Sequence, residues 1–122
     1  MENAKKILIL FFMVATIFVI CNQNNYVNAR DIHIGYLQDN TVVNLMSETI
    51  NQYESNYTYY INCTVKLYKN GYTSYVDYYF RYDDGGSVVD FSTSLGARGR
   101  FGGTYGNPYP IAARIFNVAA GF

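Results

Sequence analysis

The sequence predicts an all-β protein, a single antiparallel β-sandwich or flattened barrel of short strands that follow one another as a meander. Side chains alternate between apolar and polar over several short stretches, which is typical of half-buried strands. Turns rich in Gly, Asn and Asp join these stretches at short, regular spacing. The chain also contains 14 Tyr and 8 Phe, and aromatic residues are enriched in strands.

The first 29 residues are predicted to be a signal peptide. Lys5 and Lys6 precede an apolar run of 14 residues, and a polar stretch then ends in Val27-Asn28-Ala29. A charged start, a short apolar segment and small or aliphatic residues before the cleavage point are the features of a secretory signal. The apolar run is shorter than the roughly 20 residues that cross a bilayer. We therefore expect cleavage after Ala29 and secretion of residues 30–122 as one antiparallel β domain.

Cysteine usage supports a domain without a disulfide. An alternative, lipid attachment at Cys21, is disfavoured because the preceding Ile20 is too bulky for such a site. Removal of the signal peptide leaves Cys63 without a partner in the same chain. Stability is then expected to come from packed apolar and aromatic side chains.

The elements before residue 55 are short. Residues 32 to 36 alternate and predict a first strand whose apolar side chains, Tyr36 included, share one face. Asp39-Asn40 predicts a turn, and the β-branched run from 41 to 46 predicts a second strand. Residues 47 to 54 could hold a helical turn, but Thr49 and Ile50 favour extension of that strand.

Residues 59 to 82 predict a hairpin with a defined register. Asn70-Gly71 accepts the positive φ angles of a type I′ turn. On that turn the two residue numbers of each cross-strand pair add to 141, so Cys63 lies opposite Tyr78. A slip by one residue would destroy the agreement between the two strands. The predicted apolar face consists of Tyr59, Ile61, Cys63, Val65 and Leu67 on the first strand and Val76, Tyr78, Phe80 and Tyr82 on the second.

The remaining sequence predicts a continued meander without a helix longer than one turn. Asp83-Asp84-Gly85-Gly86 predicts a turn, and residues 87 to 95 predict a third strand. Residues 96 to 110 contain both prolines and many glycines, and they predict a loop. Residues 111 to 118 predict a last strand. The residues expected on the core face of the third strand are Val89, Phe91 and Leu95.

Cys63 is expected to be a packing residue. The hairpin register directs it into the core, where free cysteine behaves as a small apolar side chain. An intermolecular disulfide and a reactive thiolate are the alternatives. A reactive thiolate needs a cationic setting and access to solvent, and the sequence shows neither around Cys63.

Charge and composition argue against several classes of function. Residues 30–122 contain seven basic and eight acidic side chains, a net charge of −1. Such a chain has no strong field to attract nucleic acid, so no nucleic-acid partner is expected. The local excess of positive charge at Arg98 and Arg100 lies in the glycine-rich segment. These two residues are candidates for contact with a partner, against the alternative of a solvated loop.

Candidate catalytic and metal-binding residues are few. His33 is the single histidine, and no serine, histidine and carboxylate combination is evident. Asp83, Asp84 and Asp90 could bind calcium weakly, but turn chemistry explains the Asp-Asp-Gly-Gly sequence. Residues 102 to 106 lack the lysine of a phosphate-binding loop. We therefore expect no enzymatic activity, no metal and no cofactor.

Two further sets of residues are candidate sites on the outward face. Asn56 and Asn62 begin Asn-X-Thr sequons and are candidate glycosylation sites in a eukaryotic source. Tyr75 and Tyr79 lie on the polar side of the hairpin, and tyrosine suits contact surfaces. The alternatives are that a second sheet covers these tyrosines, or that they are present only because tyrosine favours strands.

The segment GYLQDNTVVNLMSETI, residues 35 to 50, resembles the opening of the small secreted insect proteins called multiprotein bridging factor two-like. The shared features are a glycine, a turn that contains an acid, an aliphatic pair and a Ser-Glu-x-Ile ending. The resemblance implies an extracellular all-β protein of haemolymph, saliva or venom. It implies no catalytic residue.

The expected function is that of a secreted, non-enzymatic β-protein, a monomer that binds an extracellular protein or glycan in a defence, salivary or venom setting. The alternative is a membrane-active toxin or bacteriocin-like protein. Residues 95 to 122 favour that alternative, because they are rich in Gly, Ala and aromatic residues and carry three arginines without an acid.

Overall fold

The computed structural model describes residues 30–122, and the predicted signal peptide lies outside the described residues. Seven strands are followed by one helix, α1 (Pro110–Ala120), and short 3-10 turns lie at Ser47–Thr49 and Gly103–Tyr105. The strands are β1 (Asp31–Tyr36), β2 (Val42–Met46), β3 (Asn51–Ser55), β4 (Thr58–Lys69), β5 (Tyr72–Asp83), β6 (Val89–Thr93) and β7 (Arg98–Phe101).

The strands form one antiparallel sheet in the order β1-β2-β4-β5-β6-β7, and β3 also pairs with β4. This arrangement confirms the all-β class and the meander. The sheet is open, however, and its second layer is a helix, so the finer expectation of a sandwich or flattened barrel is corrected. A polar–apolar alternation predicts that one face is covered, but it does not reveal what covers it.

The hairpin of β4 and β5 has the predicted register. Twelve cross-strand pairs run from Thr58 opposite Asp83 to Lys69 opposite Tyr72. Asn70 and Gly71 have φ angles of 52° and 81°, as a type I′ turn requires. This element could be predicted because the Asn-Gly turn agrees with the alternation of apolar and polar side chains along both long strands.

β2 and β3 lie end to end along the same edge of β4, and a 3-10 turn separates them. β2 pairs with residues 65 to 68 of β4, whereas β3 pairs with residues 58 to 62. At the break, the Thr64 amide donates a 2.8 Å hydrogen bond to Oγ1 of Thr49. That hydroxyl donates in turn to the Met46 carbonyl oxygen at 2.7 Å. The strand that was predicted to extend over residues 47–54 is therefore interrupted. At the break, the Thr49 hydroxyl replaces the backbone acceptor that the Thr64 amide would have in a continuous ladder.

The helix α1 covers the apolar face of the sheet, where a strand was predicted over residues 111–118. That prediction is wrong. Pro110 occupies the first turn of the helix, a position that suits its fixed φ angle. Phe116 packs edge-on against Phe80, with ring centroids 5.4 Å apart. The residues that α1 buries recur at helical spacing and are Ala112, Ile115 and Ala119.

A bulge changes the orientation of β1. His33 pairs with Asn44 and Gly35 pairs with Val43, so Ile34 is an extra residue in the ladder. Ile34 is buried, but Tyr36 then points to the opposite face and is 62% exposed. The expectation that Tyr36 joins the apolar face is wrong, because a bulge reverses the side-chain alternation after it.

The C-terminal strands differ from the prediction in two places. Phe91 lies opposite Phe80 on the core face as expected, but the third strand ends at Thr93. Leu95 lies in the following turn and is 75% exposed, so its expected core position is wrong. β7 forms inside the segment predicted as a loop and pairs with β6.

The turn between β1 and β2 is held by Asp39. Its Oδ1 atom accepts hydrogen bonds from the Thr41 hydroxyl at 2.6 Å and from the Thr41 amide at 3.1 Å. Its Oδ2 atom lies 3.0 Å from Nζ of Lys69. The Thr41 hydroxyl and the Lys69 ammonium group lower the pKa of Asp39 from 3.8 to about 2.

We predict that Asp39→Asn lowers the free energy of unfolding at pH 7 but has little effect at pH 2. A depressed pKa in the folded state gives stability that is present above pH 3.8 and is lost as the pH falls through about 2. Urea unfolding of both proteins at pH 7 and pH 2 measures the difference. Glu54→Gln, an exposed change of the same type, serves as the control. An Asp39→Asn effect of equal size at both pH values would contradict the prediction.

Candidate functional site

The polar face of the sheet, opposite α1, contains a groove of about 490 Å³. Its position follows from the register, since nine of the lining residues have outward parity on β3, β4, β5, β6 and β7 and lie side by side. Phe80, Phe91 and Gly99 have core-facing parity and border the groove from positions between them. The residues that line the groove are Tyr53, Tyr60, Asn62, Tyr79, Phe80, Arg81, Asp90, Phe91, Ser92, Arg98, Gly99 and Arg100.

A triad of charged side chains crosses one end of the groove. Asp90 lies between two arginines: Nη2 of Arg81 is 2.6 Å from Oδ2, and Nε of Arg100 is 2.7 Å from Oδ1. Burial raises the pKa of Asp90, but the hydrogen bonds from the two guanidinium groups outweigh it, and the pKa lies below its usual value. The carboxylate therefore fixes the orientation of both arginines. Each guanidinium has five N–H donors, so donors remain for a ligand.

Arg100 has a further partner in Tyr105. Nη1 of Arg100 donates a 3.1 Å hydrogen bond to the Tyr105 hydroxyl, and the guanidinium carbon lies 5.8 Å from the centroid of that ring. Tyr105 thus holds the side chain from the side away from Asp90. The charged triad also borders a second, smaller groove of about 270 Å³ that includes Tyr105.

Arg98 and Arg100 point to the same face because one residue separates them in β7. The residue between them, Gly99, faces the helix side of the sheet, where the Tyr109 ring packs on it. A Cβ atom at position 99 would lie 2.5 Å from that ring. The Arg-Gly-Arg sequence is therefore a strand in which the glycine admits an aromatic ring on one face and the arginines occupy the other.

Tyrosines form the opposite end of the groove. The Tyr53 and Tyr60 rings stack with their centroids 4.8 Å apart and an angle of 11° between their planes. The two residues are cross-strand partners in β3 and β4. Tyr79, on β5, is 43% exposed and lies toward the middle of the groove. The groove therefore combines a cationic end with an aromatic end.

The structure brings together three of the four predicted partner-contact residues. Tyr79, Arg98 and Arg100 all line the groove. Tyr75 is 57% exposed on the same face, but it lies opposite Lys66, nearer the hairpin turn, and does not line the groove. Neither predicted tyrosine is covered by a second sheet.

The two candidate glycosylation sites lie in different surroundings. Asn56 is exposed in the turn between β3 and β4, with a φ angle of 53°. Asn62 is half-buried and lines the groove. A glycan on Asn62 would occupy the groove, whereas a glycan on Asn56 would project from a turn.

Sequence reasoning missed Arg81 and Asp90 as site residues. Their pairing requires the register of β5 with β6, in which Arg81 lies opposite Asp90. The Asp-Asp-Gly-Gly turn does not determine this register by itself. An outward arginine beside an outward aspartate on consecutive predicted strands was the available signal.

Cys63 lies apart from the groove, on the helix side of the sheet. It is unpaired, buried and 3% exposed. Burial, with a smaller effect of the Asp77 carboxylate, raises the pKa of the Cys63 thiol to about 12. Its position agrees with the predicted packing role.

Residues 30–122 contain no group of three or more His, Cys, Asp or Glu side chains that could hold a metal ion. Asp90 binds the two arginines, and Asp83 accepts a hydrogen bond from Thr58 at 3.1 Å. His33 lies on β1, where Nδ1 is 3.3 Å from Oδ1 of Asn44, and it does not border the groove.

The C-terminal segment places its apolar side chains in the core. Ala112, Ile115 and Ala119 are buried against the sheet, although Leu95 and Phe122 are exposed. Within the part of the chain that the structure describes, no helix is both long and apolar enough to span a membrane. The membrane-active alternative would require α1 to leave the sheet, and it stays a prediction.

No protein-family model, curated protein or solved structure matches this chain. The resemblance of residues 35–50 to the multiprotein bridging factor two-like family therefore stays a prediction.

Proposed function

We propose that this protein is a secreted, non-enzymatic β-protein that binds an extracellular partner through the groove on its polar face. The observation that carries the proposal is the convergence of Arg81, Arg98, Arg100 and Tyr79 on one concave surface that α1 leaves uncovered. Arginine and tyrosine are enriched where proteins contact partners. The sequence features of residues 1–29 support secretion, and the resemblance of residues 35–50 supports a defence, salivary or venom setting.

The side chains that line the groove are partly held in position before a ligand binds. Asp90 and Tyr105 hold Arg100 from two sides, and β-strands supply most of the lining residues. Side chains held in this way lose little conformational freedom when a ligand binds, which favours affinity.

The test is retention of extracellular ligands by the full chain immobilised on a surface. Arrayed glycans, extracellular matrix proteins and phospholipid vesicles are presented in turn. We expect a retained ligand whose binding falls at least about tenfold in Tyr79→Ala/Arg98→Ala, since each change removes a contact of about 1 kcal/mol or more. Arg114→Ala, on the exposed side of α1, is the control and is expected to bind normally.

Two results would contradict the proposal. The first is equal binding by the groove double variant and the wild type, which would place the contact elsewhere. The second is release of dye from the vesicles at micromolar protein, which would favour the membrane-active alternative. Detection of the protein in the medium of a secreting host tests the export that is part of the proposal.

A further inference from the structure

The charges in the groove favour an anionic ligand. Three arginines and one aspartate line it, which gives a formal charge of +2 on a domain whose net charge is −1. Because Asp90 binds both Arg81 and Arg100, these two arginines are already partly neutralised. Arg98, in contrast, has no carboxylate partner among residues 30–122. The strongest attraction for an anion therefore lies at Arg98.

The uncharged lining favours a ligand with many hydroxyl groups. Asn62 and Ser92 border the groove, and the hydrogen bonds of the described side chains leave both without a side-chain partner. Within residues 30–122, the backbone N–H and C=O groups of β4, β5 and β6 in this part of the sheet are used by ladders on both sides, and only the outer edges of β3 and β7 are unpaired. A ligand on this face must therefore find its hydrogen bonds in side chains.

Aromatic area at the other end of the groove completes the match to a sugar. The Tyr53–Tyr60 stack and Tyr79 present ring surface beside polar groups, and the C–H face of a sugar ring packs on such surface. The groove volume of about 490 Å³ lies within the roughly 300–1,000 Å³ range of small-ligand sites. A short oligosaccharide suits this size.

We infer that the groove binds a short anionic saccharide whose sulfate or carboxylate group pairs with Arg98 while its sugar rings contact the tyrosines. This inference rests on the proposed function and adds the class of ligand. Single-stranded nucleic acid is the less favoured class, because its backbone needs a groove that is positively charged along its length. This domain has a net charge of −1, and Arg98 is the groove arginine without a carboxylate partner among residues 30–122. An extended acidic peptide is also less favoured, because the free backbone groups lie along the outer edges of β3 and β7 and not over the groove, which also contains the tyrosines.

The test is isothermal titration calorimetry on the full chain produced in a bacterium, so that Asn62 carries no N-glycan. The probes are a heparin-derived tetrasaccharide, a hyaluronan tetrasaccharide and fully N-acetylated chitotetraose, which is neutral. We expect at least one anionic probe to bind about tenfold or more tightly than the neutral one, with affinity that falls as salt is added. Comparison of the first two probes distinguishes a sulfate from a carboxylate.

Variants locate the binding. Arg98→Ala is expected to weaken binding of the anionic probe by about 10- to 100-fold, the range for loss of a charged hydrogen bond. Arg98→Lys, which keeps the charge, should restore part of the affinity. Arg114→Ala removes the same charge on the opposite side of the molecule and should change the affinity less than about twofold. Circular dichroism confirms that each variant is folded.

Each remaining outcome overturns the inference in a recognisable way. No binding of either anionic tetrasaccharide at millimolar concentration, or equal binding of chitotetraose, excludes an anionic saccharide. Tighter binding of a ten-residue oligothymidine or of a decaglutamate peptide that is lost in Arg98→Ala would show a binding groove with a different ligand, and the proposed function would stand. Equal effects of Arg98→Ala and Arg114→Ala on every ligand that binds would contradict both the anionic-saccharide inference and the proposed function of the groove.

Discussion

Cys63→Asp is expected to lower the free energy of unfolding by about 3–5 kcal/mol, the range for a buried charge without a partner. The Cys63 side chain is 3% exposed, within the core cluster between the sheet and α1. Its cross-strand partner, Tyr78, is half-buried and packs against the same cluster. A carboxylate at this position would have neither water nor a cation to stabilise it. Urea unfolding at pH 7 measures the change.

Cys63→Ala is the matched control and should cost only about 1 kcal/mol, through loss of buried volume. The wild-type thiol gives an independent measurement. Its pKa of about 12 means that almost no thiolate is present at pH 8, so thiol reagents should react only after unfolding. Fast labelling of the native protein, or a dimer that disappears with reductant, would show that Cys63 is not buried in this way.

Gly102→Ala is expected to destabilise the protein by about 3 kcal/mol, from the combined costs of a left-handed residue and of overpacking. Gly102 has a φ angle of 88°. A Cβ atom there would also lie 2.2 Å from the Ser87 carbonyl oxygen. Since the obstacle is backbone and not a mobile side chain, the two segments must separate to admit a methyl group. Thermal and urea unfolding of the variant provide the measurement.

Gly96→Ala is the control for a positive φ angle without a close contact. Gly96 has nearly the same φ angle, 90°, but a Cβ atom at that position would meet nothing within 4 Å. It should therefore cost only about 1–2 kcal/mol, the price of the backbone conformation. If Gly102→Ala and Gly96→Ala proved equally stable, close approach of residue 102 to Ser87 would be disproved.

The β4–β5 hairpin could be predicted in full because two independent signals agree over a long stretch. Asn70-Gly71 specifies the turn, and the apolar residues on both strands then fall on one face. Elements without that agreement were predicted less well. No local sequence pattern indicates the bulge at Ile34, because the bulge depends on the pairing of β1 with β2.

The helix was mistaken for a strand because residues 111–118 fit both periods. Ile111, Ala113 and Ile115 alternate, but Ala112, Ile115 and Ala119 also recur at helical spacing. A short apolar run does not distinguish the two by periodicity alone. The alanines and the preceding Pro110 favoured the helix. β7 was missed for a different reason, since its glycine is required by Tyr109, a residue ten positions later.

The candidate site was partly predictable for the same reasons. The parity of the hairpin places Tyr79 on the polar face, and the spacing of Arg98 and Arg100 suggested a shared direction. Asp90, which orients two arginines, required a tertiary register that turn residues alone do not provide.

An open sheet exposes rows of unpaired backbone groups that can recruit a strand from another molecule and begin aggregation. Among residues 30–122, three strands, β1, β3 and β7, pair with the sheet on one side only, and β1 and β7 resist recruitment in different ways. β1 is distorted by the extra residue Ile34 and carries charge at Asp31. β7 is only four residues long, and two of those are arginines. Repulsion between like charges would oppose the approach of a second β7, so the arginines of the groove also protect the solubility of an unclosed sheet.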